Sequence, residues 1–288
     1  MERKILFVGL HGTGKTTFIA AFWYFVNSDS PTKKFKMETL ESGEHEYLNG
    51  ICENWLQYKN VSRTSLNVDV SEEIIVSLRN LETDSVVELS VPDFSGETFN
   101  THFRDREWTE KFDQLINEIS GLVIFLNPCD TNNRPQLISD ENDAARILGD
   151  TEIKTNTGIE FNPWSTDMVS NQVKLVEELQ FIVHQRRHEK QLKVAIIISL
   201  WDKVESEDVS IEPEIWLVNN LPLLNQYIQS NDKIFESRVY GVSAQGLDYD
   251  ETEKKNEIAE KKPEERIIVK TSKEVSNDIT KPIIWVSE

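Results

Sequence analysis

The sequence predicts an α/β fold, a three-layer αβα sandwich whose mostly parallel sheet carries one antiparallel edge strand. Three observations lead there. Short, almost wholly apolar runs recur at Ile5–Val8, Leu122–Leu126 and Leu192–Leu200, as strands buried on both faces do. Segments with helical spacing separate these runs, so strands and helices alternate. Two further runs, Ile74–Leu78 and Val86–Val91, are joined only by a polar turn, which makes them an antiparallel hairpin.

Taken in order, Ile5–Val8 ends at Gly9 and leads through a glycine loop into a helix from Thr16 to Asn27. That helix has no polar face, so core packing on several sides is expected. Ser28–Val70 is polar and mixed, with a helix expected over Glu44–Tyr58, where Leu48, Ile51 and Trp55 recur at helical spacing. The hairpin turns at Asn80–Ser85, and its second strand runs into Pro92-Asp93-Phe94-Ser95-Gly96-Glu97. A polar, aromatic-dotted stretch, Thr98–Trp108, precedes a helix at Glu110–Ile119 and the strand Leu122–Leu126. Thr131–Pro163, rich in Asn and Asp, reads as an insertion or long loop. Asp167–His188 reads as an amphipathic helix with Val169, Val173, Val176, Leu179 and Val183 on one face. After Leu192–Leu200 come a helix at Pro213–Gln229, with proline in its first turn, and a last core strand at Arg238–Val242. Asp248–Glu265 is charge-dense and reads as a solvated loop, while Asp278–Val286 is apolar enough to dock back on the body. There is no internal repeat. One domain is expected over residues 1–247, with 131–163 inserted in it and 248–288 as loop and docking segment.

Composition bounds the function. The 288 residues are 38% hydrophobic, enough for a core and too many for wholesale disorder. The net charge is −19, which argues against direct nucleic-acid binding, since neutralising phosphates needs clustered Lys and Arg. Two cysteines, Cys52 and Cys129, make no disulfide or metal framework and are expected to be buried thiols in a reducing compartment. No secretory signal opens the sequence, and no apolar run approaches the roughly 20 residues of a membrane span. A soluble, cytoplasmic protein is expected.

The chemistry begins in the glycine loop. Gly9-Leu10-His11-Gly12-Thr13-Gly14-Lys15-Thr16 matches the P-loop pattern, between a buried strand and a helix as that motif requires. Its glycines let successive backbone N–H groups turn toward phosphate oxygens, and the helix N-terminus adds its dipole. His11, Gly12, Thr13, Gly14, Lys15, Thr16 and Thr17 are the candidate phosphate-binding residues. Lys15 is expected to reach the β- and γ-phosphates and Thr16 to ligate Mg²⁺; His11 faces either the phosphates or solvent. Asp93 follows a hydrophobic strand, where a carboxylate suits magnesium. Gly96, three residues on, lets a backbone N–H approach a γ-phosphate.

P-loop, antiparallel second strand and Asp-x-x-Gly together resemble the Ras-like and translation-factor-like P-loop GTPases. The resemblance covers about residues 1–247. It implies GTP/GDP and Mg²⁺ as cofactors. In such proteins an Asn/Thr-Lys-x-Asp motif recognises guanine; here Ser199-Leu200-Trp201-Asp202 stands in its place, keeping the Asp and losing the Lys. Asp202 can accept from guanine N1–H and its 2-amino group, a donor pair that adenine lacks. Ser243-Ala244-Gln245 matches the loop whose backbone contacts the guanine carbonyl. Glu97 replaces the water-orienting Gln, which implies slow turnover, because a carboxylate beside a γ-phosphate is repelled. Arg104 and Arg106 lie in the second switch, where either could act as a cis arginine, surface pairing being the simpler role. Thr64 and Ser65 are candidates for the magnesium-binding hydroxyl of the first switch.

A narrower resemblance rests on residues 12–23, 92–99, 172–180, Trp201-Asp202 and 279–285, which are similar to bacterial double-GTPases. It implies a nucleotide switch acting with other protein subunits of a multi-gene antiviral defence system, and is compatible with oligomerisation. Two alternatives stand beside a slow GTPase: a nucleotide-gated interaction module that does not hydrolyse, and an ATPase subunit of a multi-protein complex, which Leu200 permits and Asp202 opposes.

Overall fold

The computed structural model describes residues 3–29, 33–39, 42–59, 61, 73–92, 97–133, 165–186, 190–246 and 261–288. Its strands are β1 (Arg3–Val8), β2 (Phe35–Thr39), β3 (Glu73–Asn80), β4 (Val86–Pro92), β5 (Ile119–Leu126), β6 (Leu192–Ile198), β7 (Phe235–Ser243), β8 (Ile268–Lys270) and β9 (Val275–Ser276). They form one sheet in the order β2-β3-β4-β1-β5-β6-β7-β8-β9. The five central strands, β4, β1, β5, β6 and β7, are mutually parallel.

Helices cover both faces. They are α1 (Lys15–Asn27), α2 (Ser42–Leu56), α3 (Glu97–Asp105), α4 (Glu110–Glu118), α5 (Asn171–Gln185), α6 (Trp201–Glu207), α7 (Pro213–Asn220), α8 (Pro222–Ser230) and α9 (Lys281–Ser287). Strand alternation sorts the core into two layers. Ile5, Phe7, Val123, Phe125, Ala195 and Ile197 face α1, α2 and α9. Leu6, Val8, Leu122, Ile124, Val194 and Ile196 face the layer built from α3 to α8. The αβα sandwich is therefore as the sequence predicts. The polarless helix α1 is packed on both sides: Trp23 is buried and donates to Asn49 Oδ1 on α2 at 2.9 Å, and the Tyr24 ring lies 5.3 Å from that of Trp55.

Several elements depart from the sequence reading. β3 is antiparallel to the core but is not the edge, because β2, unread in the polar stretch, pairs outside it. β8 and β9 add a short antiparallel ribbon beyond β7. The aromatic-dotted stretch at 98–108 is largely the helix α3. The single helix expected over Pro213–Gln229 is two: Leu221 leaves helical geometry at φ −131°, ψ 57°, and Pro222 starts α8. In α5 the stripe is displaced. Val173 is exposed, and Leu175, Val176, Leu179 and Ile182 carry the buried face. Cys129 is exposed rather than buried, on the turn after β5; Cys52 is half-buried, and burial pushes its thiol up to about 11.

The C-terminal segment completes the body. α9 buries Ile283, Trp285 and Val286, and Val286 packs so tightly on β5 that a Cβ at Gly121 would overlap it. Among the described residues no helix is long and apolar enough to cross a membrane.

Candidate functional site

The parallel core places four chain segments along one rim. Gly9, Asn127 and Ser199 follow the carboxyl ends of β1, β5 and β6, and Ser243 closes β7. The chain leaves β1 toward one side of the sheet and returns after β4 to build the other, so this rim holds the topological switch point at which open α/β sheets bind ligands.

Residues 9–14 curl between β1 and α1. Gly12 and Gly14 have φ of 71° and 83°, a left-handed conformation that side chains with a Cβ resist. At Gly14 a Cβ would also come within 2.9 Å of Ser199 Oγ. Gly14 caps α1 and has no side chain with which to bond the first-turn N–H groups. The first-turn N–H groups and the positive end of the helix dipole are thus presented at the loop. Lys15 is only 3% exposed, and its ammonium donates to the Gly9 and Leu10 carbonyls at 2.5 and 2.9 Å. A buried cation held by the loop's own carbonyls is placed for exchange onto an anion. Two groups from outside brace the loop. Ser199 Oγ donates to the Thr13 carbonyl at 2.7 Å, and Asn127 Nδ2 to the Gly12 carbonyl at 3.0 Å. His11 is exposed; Thr16 and Thr17 are half-buried in the first turn of α1.

Beside the loop lies a cavity of about 160 Å³, bounded by Gly14, Thr17 and Phe18 on one side and by Leu200, Asp202 and Ser243–Gln245 on the other. Gly246 N–H donates to Ser243 Oγ at 3.0 Å, so the Ser243 hydroxyl hydrogen is left for Asp202 Oδ1, 2.5 Å away. The carboxylate is thereby oriented. Leu200, at φ 50° and ψ 40°, makes the left-handed turn from β6 into α6 that brings Asp202 round. Trp201 is fully buried over Gly241, where a Cβ would overlap the indole.

The other expected site residues are placed differently. Asp93, Gly96, Thr64 and Ser65 lie outside the described residues. Glu97 opens α3. Arg104 is exposed and forks onto its neighbour Asp105 through two bonds of 2.7 Å. Arg106 pairs with Glu177 on α5 and lies over the Phe103 ring at 4.9 Å. α3 is further pinned to α5 by a buried pair, His102 Nδ1 and Glu178 Oε1, at 3.2 Å. Burial holds the Glu178 carboxyl above its ordinary range, a shift His102 partly offsets. Asn127 was missed in the sequence, because a lone Asn after a strand carries no motif; only its contact with Gly12 marks it.

A family model described as Double-GTPase 1 matches residues 6–286, from β1 through α9. The chain belongs to the Double-GTPase 1 family. Membership supports a GTP-binding protein of GTPase type, and the match takes loop, cavity and docked C-terminus together. Among solved structures, this Double-GTPase 1 protein is similar to the S. cerevisiae Ski7 GTPase-like domain bound to GTP, at a TM-score of 0.40 and 14% identity, over 85% of this chain and 43% of that one. The same Ski7 domain bound to GDP and inorganic phosphate gives 0.39 and 13%, over 85% and 43%. The bacterial selenocysteine-specific elongation factor EF-Sec gives 0.35 and 12%, over 85% and 27%. The chain spans less than half the length of each of these. Comparison with curated proteins gives no match.

Proposed function

We propose that this Double-GTPase 1 protein binds GTP with Mg²⁺, hydrolyses it slowly, and works as a switch on other protein subunits of a bacterial defence system. The observation that carries the nucleotide reading is the junction of two half-sites at Ser199. Its hydroxyl braces the P-loop carbonyl of Thr13, and its side chain lines the cavity that Asp202 closes. Phosphates would sit on the N–H groups of Gly12–Thr17 with Lys15 as counter-charge. The base would fill the cavity, with Asp202 accepting from N1–H and the 2-amino group, and Ser243-Ala244 offering backbone donors to O6. Thr16, Asp93 and Thr64 would hold Mg²⁺, which neutralises charge on the β- and γ-phosphates. Glu97 would orient the attacking water. The switch and defence roles rest on family resemblance alone, and a cytoplasmic location belongs to the same reading.

The pairing of Arg104 with Asp105 and of Arg106 with Glu177 favours a second reading, a GTP-binding module that does not hydrolyse. Chromatographic identification of the nucleotide that co-purifies separates the cases. GDP supports slow hydrolysis, intact GTP supports the inert module, and ADP overturns guanine recognition in favour of an ATPase.

A further inference from the structure

The cavity is also backed from α2, an element the proposed function does not use. Trp55 is completely buried and donates its indole N–H to the Ala244 carbonyl at 2.9 Å, across 189 residues of sequence. Its own carbonyl accepts from the Gln245 side-chain amide at 3.4 Å. Arg266 lies 4.2 Å over the Trp55 ring and 4.5 Å over that of Tyr58. Its main chain closes on the same loop, since a Cβ at Gly246, which sits at φ 79°, would come within 2.7 Å of the Arg266 carbonyl oxygen.

These contacts have a geometric consequence. In a trans peptide C=O and N–H point in opposite directions, so drawing the Ala244 carbonyl onto Trp55 turns the Gln245 N–H away from Trp55. Committing the Gln245 Nε2 to Trp55 also fixes the amide's rotation. Its Oε1 then has no hydrogen-bond partner among the described residues, although Gln245 is only 5% exposed and lines the cavity. A buried acceptor without a donor is costly, and a ligand donor would relieve it.

We infer that Trp55 is a positioning residue for base recognition, through which α2 presets the Ala244–Gln245 peptide and the Gln245 amide against the nucleotide base. The inference rests on the guanine reading above. Trp55 belongs to no recognition motif, and the Ser243-Ala244-Gln245 loop is read through its backbone, not through the Gln245 side chain; among the described residues none of α2 lines the cavity.

The test uses the full chain, with GDP and ADP titrated by calorimetry against wild type, Trp55→Phe and Gln245→Leu, alongside thermal unfolding. Trp55→Phe keeps a ring beneath Arg266 and beside Tyr24 and removes the N–H donor together with part of the buried indole, a packing loss that lowers the melting temperature but does not distinguish the two nucleotides. It is expected to weaken GDP by about two- to tenfold while ADP is unchanged, the range one net hydrogen bond allows. Gln245→Leu is expected to narrow the GDP-to-ADP ratio likewise, and the double variant by no more than the larger single effect. A merely structural Trp55 would lower the melting temperature and shift both nucleotides equally, which overturns the inference. Should Trp55→Phe fail to fold, an unchanged ratio in Gln245→Leu overturns it. A wild type without guanine preference sinks the guanine reading and the inference together; a preference that Trp55→Phe leaves intact sinks the inference alone.

Discussion

Replacing Asp202 by Asn is expected to exchange the base that the cavity accepts. The direction follows from the hydrogen-bond chain behind it. Gly246 N–H donates to Ser243 Oγ, and the Ser243 hydroxyl hydrogen points at residue 202, where the carboxylate can only accept. An Asn that keeps this bond accepts it through its oxygen, which turns its NH₂ group to the cavity. Guanine N1–H and the 2-amino group would then meet a donor. Two bonds to a charged acceptor are lost, each worth about 1.5–3 kcal/mol. At roughly 1.4 kcal/mol per decade, GDP should weaken by about 10²- to 10⁴-fold. Xanthine carries a carbonyl where guanine carries the 2-amino group and so matches the new donor. Competition titrations of GDP, XDP and ADP against the variant provide the assay. Affinity for XDP should rise while ADP stays weak, because the P-loop contacts are untouched. If Asp202→Asn still prefers GDP, or XDP gains nothing, Asp202 is a loop carboxylate and the reasoning is refuted.

Four further outcomes are expected. Lys15→Ala should abolish nucleotide binding in calorimetry, because the phosphates lose the buried ammonium that the loop now holds on its carbonyls; wild-type affinity would remove the P-loop assignment. Glu97→Ala should slow single-turnover GTP hydrolysis without changing GTP affinity; an unchanged rate removes its water-positioning role. Gly121→Ala should destabilise the fold by about 1–3 kcal/mol in urea denaturation, because its methyl collides with Val286 and levers α9 from the sheet. Glu178 should make stability fall as pH rises above its ordinary value of 4.5. Burial lets the native state keep a proton that the unfolded carboxyl has already lost, so denaturant midpoints should drop through that window and Glu178→Gln should flatten the drop.

Much of the rim was legible because its residues are consecutive. The P-loop is one string between a buried strand and a helix, and each requirement of the motif falls on a residue whose neighbours also carry it. Asp202 and Ser243 could be placed because each follows an apolar run ending at the same sheet edge. The hairpin followed from a short turn, and Trp55 was placed on a helix by its spacing from Leu48 and Ile51. Contacts between remote segments had no such signal. β2, β8 and β9 are short and partly polar, and become strands only when β3, β7 and β8 respectively offer unpaired backbone groups. The break at Leu221 was hidden inside an apolar pattern that two helices share as readily as one. Val173 lies on the expected stripe yet is exposed, because α5 is covered by α3, α4 and α8, which select the neighbouring stripe. Spacing shows that Trp55 is buried; only the folded chain shows that its N–H meets the Ala244 carbonyl. A periodic pattern reports which face of an element leaves water, but the partner that face meets is chosen by the packing of the whole chain.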